Sequence, residues 1–189
     1  MGAFKRLKKL LMKMGVLKMK VTVIMLGLSG SGKTSIVHVL AREALDQVVP
    51  TMGYAIDKVA WRAQHATLTT LDMSGASKYH SLWTRYYDQA EGVVFVVDAC
   101  CDATSLAEAK DVLHSVLESP QLQGRPLLLL ANKQDLAGAA SPGYLAALLG
   151  VSSGSCRGRE FSVQGCSAIK GEGVEDGMTW LLQRVRAAL

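Results

Sequence analysis

Long apolar runs are missing from this chain of 189 residues. No stretch suffices to cross a bilayer, and lysines interrupt each early apolar run before a secretory core could form, so neither a membrane-spanning protein nor a leader peptide is expected. Acids are absent from residues 1–20, which carry Lys5, Arg6, Lys8, Lys9, Lys13, Lys18 and Lys20. The formal charge of +5 therefore belongs to the N-terminus and leaves −2 for the rest, which gives no reason to expect nucleic acid as a partner. Cysteines are few, and Cys100, Cys101, Cys156 and Cys166 lack zinc-ligand spacing. An adjacent pair also suits a disulfide framework poorly, so reduced thiols in a cytoplasmic compartment are expected. His38, His65, His80 and His114 show no ligand spacing either. No internal repeat or long low-complexity tract is present. What remains, at 49% hydrophobic content, is enough for one α/β domain with a full core, but not for a second catalytic domain.

Two units are expected, an amphipathic basic helix over residues 1–19 and one domain over 20–189. In the first, Phe4, Leu7, Leu10 or Leu11 and Met14 recur at helical spacing among the cations, and Gly15 ends the pattern. Such a helix can bind anionic lipid, each cation near the surface contributing about 1 kcal/mol. In the second, strand-like runs near 20–27, 55–62, 65–72, 92–98, 126–132 and 160–166 alternate with helix-like runs near 33–44, 77–88, 104–118, 142–149 and 174–188. Alternation of this kind predicts a mostly parallel six-stranded sheet with helices on both faces and ligands at the carboxyl ends of its strands. Residues 55–72 differ, reading as an antiparallel hairpin at the sheet edge.

Gly27-Leu28-Ser29-Gly30-Ser31-Gly32-Lys33-Thr34 fits G-x-x-x-x-G-K-[ST], follows a buried strand and opens a helix at Ser35. Glycines let consecutive N–H groups face inward as an anion nest at a helix N-terminus, around the β-phosphate of a nucleotide. Lys33 adds a cation for the β- and γ-phosphates, and the Thr34 hydroxyl is a hard oxygen ligand for Mg²⁺.

Asn132-Lys133-Gln134-Asp135 follows the apolar run 127–131 and so stands at the ligand end of a strand. The Asp135 carboxylate can accept N1–H and the 2-amino group of guanine together, a paired contact that adenine cannot supply. Asn132 would tie this loop to the phosphate loop, the Lys133 stem would cover one face of the base, and Ser167-Ala168-Ile169 would bring the Ala168 N–H to guanine O6. Between the two motifs, Thr51 can complete a Mg²⁺ shell, Asp72 can hold the ion through water, and the Gly75 N–H can reach a γ-phosphate. These contacts depend on the triphosphate or its metal, so hydrolysis would release both loops as an order-disorder switch.

The strings GLSGSGKT, PTMG, LDMSG, LWTRYY, VVFVVDA, NKQD and SAIKGEGV resemble, in order and spacing, those of the Arf and Arf-like small GTPases over the whole chain. With DMSG for the commoner DVGG, the chain is most similar to the ciliary branch that recruits the BBSome coat. The resemblance implies a Ras-like fold, GTP/GDP and Mg²⁺ as cofactors, and GTP hydrolysis assisted by Lys33, Thr51 and Gly75. It also implies an exchange factor and an activating protein as partners, a monomer when free, and a cytoplasmic and peripheral-membrane location at the ciliary base. Thr51 onward would be switch I and 72–87 switch II. An apolar effector patch would fall on Tyr54, Leu71, Leu82 and Tyr86, with Trp83 and Tyr87 either joining it or packing at the sheet edge.

Two positions depart from the family. A glutamine that orients the attacking water normally follows the switch II glycine, and here Ala76 stands there. Since a methyl group cannot orient water, very slow intrinsic hydrolysis is expected. Three alternatives stand beside this: an activating protein supplies the missing group, His80 reaches in, or the protein cycles mainly by nucleotide release. Gly2 is present, but the myristoylation pattern wants Ser or Thr where the chain has Arg6. The rival readings are a GTP-locked scaffold without turnover and a P-loop kinase for a small acceptor.

Overall fold

The computed structural model describes residues 18–45, 48–61, 66–152, 154–156 and 158–188. The expected N-terminal helix, the tip of the edge hairpin and His65 lie outside them. Six strands form one sheet: β1 (Met19–Leu26), β2 (Tyr54–Trp61), β3 (Ala66–Met73), β4 (Gly92–Asp98), β5 (Leu127–Asn132) and β6 (Phe161–Gly165). Their order is β2-β3-β1-β4-β5-β6, with only the β2–β3 pair antiparallel. Among the described residues five α-helices accompany them: α1 (Lys33–Ala41), α2 (His80–Trp83), α3 (Ala103–Glu118), α4 (Pro142–Leu148) and α5 (Val174–Ala188).

β4 and β5 are apolar up to their last residue because both sheet faces are covered there. Successive side chains point to opposite faces, so Val93, Phe95 and Val97 join Leu113 and Trp83 in one core, while Val94 and Val96 join Ile36 and Leu181 in the other. Asp102 caps α3 by accepting from the Ser105 N–H at 2.7 Å, a contact typically worth about 1 kcal/mol. No side chain caps α1, which begins after Gly32, so its leading N–H groups are left to a ligand.

Two expected helices are shorter. The 33–44 run stops at Ala41 because Arg42 takes a left-handed φ of 61° and returns its N–H to the carbonyls of His38 and Val39. The 77–88 run breaks into 3₁₀ turns at Ser77–Tyr79 and Tyr87–Gln89 around the single turn of α2. Tyr, His, Trp and Thr are indifferent helix formers, and the tertiary bonds of His80 and Trp83, given below, determine the path instead.

Candidate functional site

Loops after β1, β3, β5 and β6 converge at the carboxyl end of the sheet, and Asn132 binds three of them together. Its Nδ2 donates to Ser31 O at 2.9 Å, and its Oδ1 accepts from the Ala168 N–H at 3.0 Å. Gly32 has φ 95°, and a Cβ there would collide with the Asn132 amide, so glycine is required for backbone shape and for closeness alike. Leu28, Ser29, Gly30 and Ser31 turn over the start of α1, and Ser29, Gly30, Gly32, Lys33, Thr34 and Ser35 line a pocket of about 580 Å³ together with Thr51 and Gly75. Lys33 Nζ donates to the carbonyls of Gly27 at 2.9 Å and Leu28 at 2.7 Å. Burial lowers its pKa to about 8, against the opposing pull of Asp72. A polyphosphate in the nest would give this buried cation its countercharge.

Thr34, Thr51 and Asp72 meet beside Lys33. Thr34 Oγ1 donates to Asp72 Oδ2 at 2.7 Å, Thr51 Oγ1 donates to the same oxygen at 3.1 Å, and the two hydroxyls lie 2.8 Å apart. The other carboxylate oxygen, Oδ1, is buried without a partner. An all-oxygen cluster with an unsatisfied buried carboxylate oxygen suits a hard divalent ion, so Mg²⁺ fits these residues. When bound, that ion supplies positive charge to the phosphates. Among the described residues no group of three His, Cys, Asp or Glu side chains forms any other metal cluster.

Desolvation raises the Asp72 pKa, with the Thr34 bond and Lys33 opposing it. An acid whose folded pKa is raised keeps a proton that the unfolded chain releases. The metal-free protein should therefore lose stability as pH rises from the ordinary carboxylate range through the raised value. Thermal denaturation in chelator across mildly acidic pH should show this slope, and Asp72→Asn should flatten it. An unchanged slope in the variant would assign it to other groups.

At the base end, Asp135 Oδ1 accepts from the Ser167 hydroxyl at 2.5 Å, and this bond, foremost among its causes, holds the carboxyl below its ordinary pKa. Lys133 takes a left-handed φ of 69° and pairs with Asp98 at 2.6 Å, which anchors its ammonium group. The Ala168 N–H, expected on guanine O6, is held by Asn132 Oδ1, because a buried N–H must find an acceptor. Ile169 is 75% exposed beside it.

Gly75 lies directly on the phosphate loop: a Cβ would overlap the Leu28 and Ser29 backbone, and its carbonyl accepts the Ser29 N–H at 3.1 Å. The preceding N–H, of Ser74, donates to Gly53 O at 2.9 Å, joining the two expected switch segments. Ala76 follows in extended conformation, half-buried. Its methyl lies between the phosphate pocket and a second cleft of about 650 Å³. Asp98, Asp102 and Glu108 line that cleft, and no described lysine, arginine or histidine does, although Asp98 is paired with Lys133. His80, one candidate for the missing catalytic group, has its Nε2 on Gly75 O at 3.1 Å.

The residues proposed as an apolar patch divide. Tyr54 is 44% exposed and its ring lies 4.7 Å from that of Tyr86, with Leu82 half-buried nearby in sequence. Leu71 and Trp83 are corrections: both are buried in the core, Leu71 because its strand is interior and Trp83 because its indole packs under the switch II backbone. Tyr87 is buried as well. Sequence reading missed Ile56, 51% exposed, which shares a face with Tyr54 two residues along the edge strand.

The model of the ADP-ribosylation factor family matches residues 7–185. The chain belongs to this family. It is 36% identical over 167 residues to ADP-ribosylation factor-like protein 2 of Arabidopsis thaliana, covering 88% of each chain. It is 35% identical to ADP-ribosylation factor-like protein 6 of Danio rerio, covering 99% of this chain and 98% of that one. The solved Arl6 BBS3 small GTPase of Trypanosoma brucei, with bound GppNp, is similar in structure with a TM-score of 0.79 at 31% identity, covering 89% of this chain and 98% of that one. This Arf-like protein is thus a small GTPase that binds GTP and GDP and hydrolyses GTP, in the Ras-like fold read from its sequence. No described helix of this Arf-family chain is long and apolar enough to cross a membrane.

Proposed function

We propose that this Arf-like protein is a switch whose GTP form associates with membrane and recruits a BBSome-type coat for trafficking of ciliary membrane proteins. The observation that carries the reading is the convergence of Thr51, Thr34 and Asp72 just before the exposed Tyr54, whose ring packs on the half-buried Tyr86. A ligand that engages Thr51 thereby controls the strand that presents the apolar surface. Ile56 extends that surface along the same strand face, and an exposed aromatic beside an exposed aliphatic suits a partner that buries such anchors. The seven cations of residues 1–20 support contact with anionic lipid. Likeness to the Arl6 proteins of fish and trypanosome supports the ciliary branch.

Capture on the full chain tests the reading. Loaded with a non-hydrolysable GTP analogue, the immobilised protein should retain BBSome subunits from ciliated-cell extract, whereas the GDP form should not. Tyr54→Ala should lower capture about tenfold or more, as expected when a central aromatic anchor is removed. Equal capture by both nucleotide forms would rule out the switch, and retention of a different coat would reject the branch.

Hydrolysis in this reading is very slow alone, because Ala76 offers no group to hold water. The acidic cleft beside Ala76 favours a cationic side chain from an activating partner.

A further inference from the structure

We infer that His80 and Trp83 form a carbonyl clamp that aims the Gly75 N–H at the γ-phosphate and so makes the site prefer the triphosphate over the diphosphate. The inference rests on Gly75 as the γ-phosphate donor.

The geometry begins inside the core. Trp83 is 2% exposed, and its Nε1–H donates to Ser74 O at 3.0 Å. That carbonyl belongs to the same peptide unit as the Gly75 N–H. In a trans peptide the C=O and N–H point in opposite directions, so an indole pulling the carbonyl toward the core turns the N–H outward. Ser74 and Gly75 line the pocket that also holds Lys33, Thr34 and Thr51, so outward here means toward the phosphates.

His80 fixes the next peptide. Gly75 O can only accept, so the His80 Nε2 at 3.1 Å must carry the hydrogen. Ser29 N–H meets the same oxygen from the phosphate loop, and Gly75 O thus has two donors on it. The imidazole packs on the Trp83 ring with centroids 4.3 Å apart, so each ring restrains the other. Consecutive carbonyls are held, and the N–H between them has little freedom left. Preorganisation of this kind lowers the ordering cost of binding the group the donor contacts, here the γ-phosphate alone. With Nε2 occupied in this way, His80 is a positioning residue and does not stand in for the missing glutamine.

The test measures dissociation constants of the Mg²⁺-loaded full chain for GDP and for a non-hydrolysable GTP analogue. His80→Ala should weaken the analogue about tenfold, the upper range for one neutral hydrogen bond, and change GDP less than about twofold. His80→Gln, which keeps a side-chain N–H donor at similar reach, should restore most of the loss. Trp83→Phe, which keeps an aromatic but removes the donor, should act in the same direction. Equal weakening of both nucleotides, or no loss in His80→Ala, would overturn the clamp. The wild type separates the two levels: equal affinity for GDP and the analogue would remove the Gly75 N–H as a γ-phosphate donor. A preference for the analogue that His80→Ala leaves unchanged would remove only the clamp. Should Trp83→Phe not fold, the His80 pair decides alone.

Discussion

Replacing Asp135 by Asn should lower the affinity for GTP by about 10⁴-fold and transfer preference to xanthosine triphosphate. The size follows from paired donors and acceptors. Guanine presents N1–H and a 2-amino group, two donors that one carboxylate accepts together. Asparagine has one acceptor and one donor, so its amide meets the 2-amino group donor to donor. Xanthine carries an oxygen at that position, to which the amide can donate while its oxygen accepts N1–H. Competition between the two nucleotides on wild-type and variant protein reads the exchange directly, and unchanged preference would remove Asp135 from the base site. The Ser167 bond survives in principle, since an amide oxygen also accepts, so lost folding should not obscure the result. The same bond holds the Asp135 carboxyl below its ordinary pKa, so the carboxylate stays ionised as pH falls through the usual range. Guanine preference should therefore persist into acid beyond the point expected of a free aspartate.

The phosphate and guanine loops were legible because their chemistry is written in local spacing: glycines where N–H groups must converge, a strand before each loop and a helix after the first. The broken switch II segment was not. Residues 77–88 carry a helix-like pattern, yet their path follows bonds from His80 to Gly75 and from Trp83 to Ser74, which join residues five and nine positions apart through the fold. The apolar patch failed for a related reason. Ile56 and Leu71 are directly opposite in the β2–β3 register, and one is half exposed while the other is in the core. Both are aliphatic, so only the cover over each strand separates them. Ala168 illustrates the third gap, since no local spacing says that its N–H meets Asn132 Oδ1, a residue 36 positions away.

Ala76→Gln should raise single-turnover GTP hydrolysis without a partner by about 10²-fold, the scale on which losing alignment of an attacking group is felt. Room for the longer side chain exists. Ala76 has ordinary extended torsions, φ −72° and ψ 133°, and opens on both the phosphate pocket and the acidic cleft of about 650 Å³. Glutamine there brings an amide that can accept from water and donate to a γ-phosphate oxygen at once, a pairing alanine lacks. Because the diphosphate makes no use of that group, GDP affinity should stay within about twofold, which distinguishes a kinetic gain from tighter binding. A wild-type rate already at the level of the variant would mean that another group aligns the water. His80 is poorly placed for that, with Nε2 on Gly75 O. The acidic cleft then gives a second, independent prediction of direction. With Asp98 already paired to Lys133, Asp102 and Glu108 keep the cleft negative and favour an incoming guanidinium or ammonium beside Ala76, so extract should stimulate the wild type more than the glutamine variant. Equal stimulation of the two would mean that the partner acts elsewhere, on the switches and not on the water.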